Sequence, residues 1–229
     1  MKKKRSNKLI KSERYKAMIS VHKFVFNDFM ENTYLLWEED GTGLIIDPGC
    51  GKPAEQQALL DFIGENGIRP GRIVNTHAHI DHVLGVGMLG AHFSIPFTIH
   101  RMDLPLLERS TDQASMFGLD LAEPVRADEF VEDGETIAVG SSRLKVLHLP
   151  GHSPGGIGLY CEARNFIIVG DVLFHGSIGR TDLPGGDYRV LMSSIRNKLL
   201  RLSDDCTVYS GHGPDTTIGT ERASNPFLQ

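Results

Sequence analysis

The stretch THAHIDH, residues 76–82, concentrates three imidazoles and a carboxylate in one bend of the chain. His77 and His79 stand two apart, so in extended backbone both side chains point to the same side. Asp81 and His82 follow at the junction between a strand-like segment and a helix-like one. Imidazole and carboxylate together suit a borderline divalent cation such as zinc, iron or manganese, and neither packing nor solubility calls for such a cluster. Three more candidate ligands lie downstream, each at a strand end and each beside glycine: His152 in PGHSPG (150–155), Asp171 in VGD (169–171) and His212 in SGHG (210–213). Glycine in those places allows a tight bend and a close approach of backbone to an ion. One ion needs three or four donors; seven imply two ions. The other histidines, His22, His92, His100, His148 and His175, read as structural or solvent-facing.

Elements must bring these residues together. Val21–Phe26, Thr33–Trp37 and Gly43–Asp47 read as short strands, the last ending in a Pro48-Gly49 turn. Pro53 opens a helix through about Glu65, with Gly67 beyond its end. Arg72–Asn75 is strand-like, and His82–His92 reads as a helix weakened by Gly85, Gly87 and Gly90. Further strands are expected at Phe97–His100, Thr136–Val139, Leu144–His148, Ile157–Cys161 and Phe166–Val169. An amphipathic helix is expected over Tyr188–Leu202, then a strand at Cys206–Tyr209 and a short helix at Thr217–Ala223. Residues 101–135 show no period, and Met116-Phe117-Gly118 reads either as a loop over a groove or as packing. Two successive runs of strands with helices between them predict face-to-face sheets with helices outside, a layered α/β arrangement.

Hydrophobic residues make up 40% of the 229 and charged residues 23%, the proportions of an ordinary globular chain. No apolar run is long enough for a membrane helix. A net charge of -5 argues against a nucleic-acid coat protein. Residues 1–17 carry a cluster of Lys and Arg with no apolar core behind it, so they read as a solvated extension and not as a signal peptide. The working domain is then expected over residues 18–229. Cys50, Cys161 and Cys206 are too far apart for a disulfide framework or a thiolate zinc site, which points to a reducing cytoplasm. Cys50, just past the Asp47-Pro48-Gly49 turn, reads as packing and not as a nucleophile.

The four stretches THAHIDH, PGHSPG, VGD and SGHG, in this order, resemble the metallo-β-lactamase superfamily. The resemblance covers the chain from about Met18 onward and implies a four-layer αββα sandwich with metals in a groove at one edge of the paired sheets. It implies that His77, His79 and His152 hold a first metal and that Asp81, His82 and His212 hold a second. Asp171 then matches the bridging carboxylate, and Asp47 a position that supports the ligands from behind. Within the superfamily, Asp171 without a nearby Cys, GRTDLPGGD (179–187) and ERASNPFLQ (221–229) are similar to short glyoxalase II-like hydrolases.

That similarity implies hydrolysis of a small thioester such as S-lactoylglutathione by a hydroxide bridging two divalent ions, zinc first and iron or manganese after it, with Asp81 also orienting the hydroxide. Only residues 213–229 follow His212, too few for the helical domain that contacts glutathione in longer relatives. Arg180 matches a basic substrate-contacting position, although Asp182 stands where a Tyr is common. The alternative within the fold is a mononuclear Fe(II) persulfide dioxygenase using His77, His152 and Asp171. Nucleases of the fold carry a large insertion with no counterpart here, so nucleic acid is not the expected partner.

Overall fold

The computed structural model describes residues 19–119, 121 and 123–229; the expected basic extension over residues 1–17 lies outside them. A first sheet takes the order β1 (Ser20–Phe26), β2 (Glu31–Trp37), β3 (Thr42–Ile46), β4 (Arg69–Val74), β5 (Phe97–His100), β6 (Glu129–Val131). Its strands β3 to β6 run parallel. A second sheet is built from β7 (Thr136–Val139), β8 (Ser142–His148), β9 (Ile157–Cys161), β10 (Phe166–Gly170), β13 (Thr207–Ser210) and β14 (Thr216–Thr217), ordered β14-β13-β10-β9-β8-β7. A small hairpin, β11 (Leu173–Phe174) with β12 (Ser177–Ile178), stands apart.

The two-residue side-chain period of the strands decides the layering. In the first sheet Leu35, Ile45 and Ile73 face outward onto Leu59 and Ile63 of α1 (Pro53–Glu65) and Val86 and Leu89 of α3 (Val86–Phe93). Their neighbours Tyr34, Leu36, Leu44, Ile46 and Val74 face inward onto Val139, Val146, Leu159 and Ile168 of the second sheet. On the far side of that sheet, Ile167, Val169 and Val208 pack under Leu191 and Ile195 of α6 (Tyr188–Asn197). Three apolar layers thus separate helix, sheet, sheet and helix. Each fully buried Leu or Ile contributes roughly 1.5–3 kcal/mol to holding the layers together. This is the αββα sandwich that the resemblance implied.

Three expectations need correction. The helix expected over His82–His92 is two pieces, α2 (Ile80–Val83) and α3, broken at Gly85. The Gly85 N–H donates to the Pro48 carbonyl, and a Cβ there would meet the Cys50 sulfur and that same carbonyl. The helix over Tyr188–Leu202 stops at Asn197, and Leu199–Arg201 tightens into a 3-10 turn that keeps Leu199 buried. Residues 101–135 are not featureless: a 3-10 turn at Arg101–Asp103 leads into α4 (Leu104–Glu108), α5 (Ser110–Met116) and β6. Helices this short owe their existence to packing and leave little period in the sequence. Among the described residues no helix is long and apolar enough to cross a membrane.

Candidate metal centre

All seven expected ligands lie at one edge of the sandwich, beyond the ends of strands. Asp47 follows β3, and β4 runs out into Asn75-Thr76-His77. His152 sits in the β8–β9 loop, Asp171 follows β10 and His212 follows β13. The edge is stitched across the two sheets: Ile157 N–H donates to the Thr76 carbonyl at 2.8 Å and Asn32 N–H to the Gly211 carbonyl at 2.7 Å. Three donor triads emerge: Asp47 with His77 and His82, and the two expected sets. The ligand atoms of His77, His79 and His152 lie within 4.8 Å of one another, and so do those of Asp81, His82 and His212. Asp171 stands between the sets, with Oδ2 at 3.5 Å from His152 Nε2 and 3.4 Å from His212 Nε2, and Oδ1 at 3.5 Å from His82 Nε2.

Close approach of the Asp171 and His212 turns requires glycine. Gly170 has φ +53°, a region that L side chains rarely enter. A Cβ on Gly211 would collide with the Asp171 carboxylate and lie 2.9 Å from the His82 ring.

The outward nitrogens are held by acceptors, which fixes what the inward ones can do. His152 Nδ1 donates to the Arg180 carbonyl at 2.8 Å, His212 Nδ1 to the Phe29 carbonyl at 3.0 Å, and His82 Nδ1 to Asp47 Oδ2 at 3.2 Å. Thr76 gives its hydroxyl proton to Asp47 Oδ2 at 2.5 Å, so its oxygen is free to accept from His77 Nδ1 at 3.1 Å. In all four rings Nδ1 is therefore turned outward and Nε2 is aimed inward, where it can meet a cation once it carries no proton. His79 presents Nδ1 to the same space, 2.8 Å from His152 Nε2. This is how metal-binding histidines are normally oriented.

The interior of the cluster suits a cation. His77 Nε2, His79 Nε2, His82 Nε2 and Asp171 Oδ1 are buried with no hydrogen-bond partner. An orphaned buried polar atom costs roughly 1–3 kcal/mol, so the three that face inward, on His77, His82 and Asp171, need a common ligand. Electrostatics agree. Burial, aided by the neighbouring imidazoles, holds His77 well below the ordinary histidine value and His79 down at about 3. Burial alone would depress His82 as well, but the Asp81 and Asp171 carboxylates hold it well above that value. At His212 burial is likewise outweighed, by hydrogen bonds to Asp171 and Asp81, and the ring is pushed up to about 10. Within the protein's own charges, protons on His82 and His212 balance the two carboxylates.

Asp47 takes its expected place behind the ligands, fully buried and accepting also from Thr76 N–H at 2.6 Å. Arg180 lines the groove, but its guanidinium is forked onto Asp182, two bonds of 2.7 Å, at the surface. Met116 and Phe117 line the same groove.

Two carboxylates behind the site went unnoticed in the sequence. Asp103 is fully buried and accepts from Ala78 N–H at 3.0 Å, Ser153 Oγ at 2.9 Å and Gly155 N–H at 2.5 Å, so it clamps the THAHIDH loop to the PGHSPG loop. Glu31, also fully buried, accepts from Thr33 Oγ at 2.8 Å and reaches to 3.8 Å from His82 Nδ1. A single Asp in RMDLP and a single Glu in MENTY carry no spacing signal. Only their placement reveals them.

Known proteins resemble this chain in sequence and in fold. The family described as the metallo-beta-lactamase superfamily matches residues 26–212. The chain belongs to that superfamily, a class of metallo-hydrolases. It is 41% identical over 202 residues to hydroxyacylglutathione hydrolase GloC of Haemophilus influenzae, across 87% of this chain and 93% of that protein. Its fold is similar to that of the BLEG-1 B3 metallo-β-lactamase, with a TM-score of 0.85 and 36% identity over 92% of this chain and 100% of that one. It is also similar to TTHA1623 in a di-iron-bound form, with a TM-score of 0.82 and 39% identity over 91% of this chain and 100% of that one.

Proposed function

We propose that this chain is a metal-dependent hydrolase of the glyoxalase II type, cleaving a small thioester such as S-lactoylglutathione. The observation that carries the reading is the pair of three-donor sets with the Asp171 carboxylate between them, reaching toward both. His77, His79 and His152 would hold one divalent ion, Asp81, His82 and His212 a second, and Asp171 would bridge. Likeness to GloC supports the thioester and glutathione side of the reading. Zinc is the first candidate metal, with iron or manganese next. Such ions would supply an acidified water and an electrophile for the substrate carbonyl.

The chain's own groups do the rest. The acceptors behind the imidazoles hold each ring's lone pair in place, so little reorganisation is left for the reaction. Asp81 is partly open to the groove, with Oδ2 at 3.2 Å from His212 Nε2, and is placed to orient the attacking water as well as to ligate. Among the described residues, the three cysteines and Ser153 are not placed to compete as nucleophiles. Burial, with Glu31 beside it, pushes the Cys50 thiol up to about 12. Cys161 and Cys206 are buried. Ser153 is engaged by Asp103.

The test is metal loading. Reconstitution with excess zinc or manganese should give two ions per chain, together with hydrolysis of S-lactoylglutathione. A stoichiometry fixed at one ion, with oxygen consumed in the presence of a glutathione persulfide, would replace the hydrolase by the dioxygenase. Loading should also release protons, because a cation placed among Asp81, Asp171, His82 and His212 displaces those on the two rings. Apparent affinity should therefore climb as pH rises toward about 10, the value to which His212 is pushed. Titration calorimetry in buffers of different ionisation heat measures this, and a heat that does not depend on the buffer would contradict it.

Arg180 offers a separate check on the thiol carrier. Its carbonyl orients His152 whatever the side chain is, so Arg180→Ala removes only the guanidinium and its pairing with Asp182. If the substrate carries carboxylates, as glutathione does, KM should rise more than kcat falls, the contact being equal in ground and transition states. Unchanged steady-state constants would take Arg180 out of the site.

A further inference from the structure

Beside the metal ligands the groove widens into a pocket of about 270 Å³. Its wall includes His79, Asp81, His152, Asp171 and His212. The rest of the wall is mostly hydrocarbon, Phe29 from the β1–β2 turn, Leu106 of α4, Met116 and Phe117 at the end of α5, and Leu183 and Pro184 ahead of α6, with a few polar side chains between. Met116 is 81% exposed and Phe117 49%. Neither side chain gains from pointing into water. Phe117 is nonetheless held upright by an edge-to-face contact with Phe29, centroids 5.2 Å apart at 90°.

The polar side chains along this wall already have partners. Arg180 is forked onto Asp182, Arg109 faces Asp112 at 3.5 Å, and Gln113 donates to the Leu106 carbonyl at 2.8 Å. What the pocket offers a ligand is therefore the metal-binding groups and a wall of unpartnered hydrocarbon. A lactoyl group keeps its α-hydroxyl beside the carbonyl and has only a methyl to offer that hydrocarbon. An alkyl or aryl chain would cover it.

Resting on the thioester-hydrolase reading, we propose that this pocket is an acyl subsite, selecting thioesters whose acyl group is an apolar chain or ring over those with short hydroxylated ones. The carbonyl of such a substrate sits among the metal ligands, and its tail lies along Met116, Phe117 and Leu183. Displacing water from the wall should raise kcat/KM by about three- to fourfold per added methylene until the pocket is full.

The experiment varies the acyl group at a fixed thiol, then repeats the lactoyl and hexanoyl members as glutathione thioesters. Metal-loaded protein is given the lactoyl, acetyl, butyryl, hexanoyl and benzoyl thioesters of N-acetylcysteamine. In parallel, calorimetry measures binding of lactate, acetate, butyrate, hexanoate and benzoate. Both series should rise with apolar size, and Met116→Asp and Phe117→Ala should flatten them. Both side chains are substantially exposed, so the variants should melt as the wild type does after chelation. Hydrolysis at a rate indifferent to the acyl group, with flat carboxylate affinities, would overturn the subsite and leave the hydrolase standing. Graded carboxylate binding without cleavage of any thioester would uphold the subsite and remove the reaction. A rate that follows only the thiol, glutathione against N-acetylcysteamine, would assign the wall to the other half of the substrate and overturn the proposal.

Discussion

Asp171→Ala should lose at least one of two metal ions and lower kcat/KM by about a hundredfold or more, since a two-metal centre acts through both ions together. Asp171 alone among the candidate carboxylates faces both donor sets, His152 on one side and His82 and His212 on the other. Asp81 cannot replace it, because its Oδ2 is engaged with His212 and His82. The effect should extend to stability. A metal present at about a hundred times its Kd stabilises the folded chain by about 2.7 kcal/mol, and a variant that no longer binds forfeits this. Thermal melts of wild type and variant should therefore differ most with metal present and converge after chelation. Metal analysis and melts run with and without chelator measure both effects. A variant that keeps two tight ions and turns over within a few-fold of wild type would sink the bridging role.

How far the site could be read from sequence follows the range over which each residue acts. His77, His79, Asp81 and His82 are neighbours in the chain, so a seven-residue window displays their chemistry. His152, Asp171 and His212 are isolated in sequence, but each follows an apolar run and sits beside glycine. Gly170 and Gly211 explain that signature, one by its positive φ and the other by its approach to the Asp171 carboxylate. Asp103 and Glu31 work through tertiary contact alone, across 25 residues to Ala78 and 52 to Gly155 in the case of Asp103. No local pattern marks them. Asp47 lies between these extremes: its strand was legible, and its duty came only from the family resemblance.

The elements divide in the same way. Long alternating strands were found because sandwiching between two layers forces a side-chain period of two, as in Tyr34 and Leu36 against Leu35. The break at Gly85 was not, since it answers to the Pro48–Cys50 turn packed against it. That break matters to the site. It confines α2 to a single turn and leaves Asp81 and His82 at its start, where His82 can meet Asp47 and Asp81 can face the groove.

Asp47→Asn should weaken metal binding or turnover by about 10–100-fold while the chain stays folded, the usual cost of removing the acceptor behind a metal-binding histidine. The loss comes from misplaced protons. Asp47 Oδ1 accepts from the Thr76 N–H, and Oδ2 accepts from both the Thr76 hydroxyl and His82 Nδ1. An amide cannot serve all three, because one of its two atoms is a donor. With its oxygen kept by the Thr76 N–H, its nitrogen faces His82 Nδ1 and drives the ring proton to Nε2, the atom that must be bare to bind a cation. Thr76 is disturbed too, and through it His77. Glu31, with Oε1 at 3.8 Å from His82 Nδ1, is no substitute anion, since burial pushes its carboxyl well up. The backbone should tolerate the change: residue 47 has φ +50°, and Asn enters that region as readily as Asp. Asp47→Ala lacks that tolerance, so comparing the two separates loss of the acceptor from backbone strain. Competition against a chromophoric chelator reads the affinity. Wild-type affinity and turnover in Asp47→Asn would reduce Asp47 to a turn residue at the end of β3.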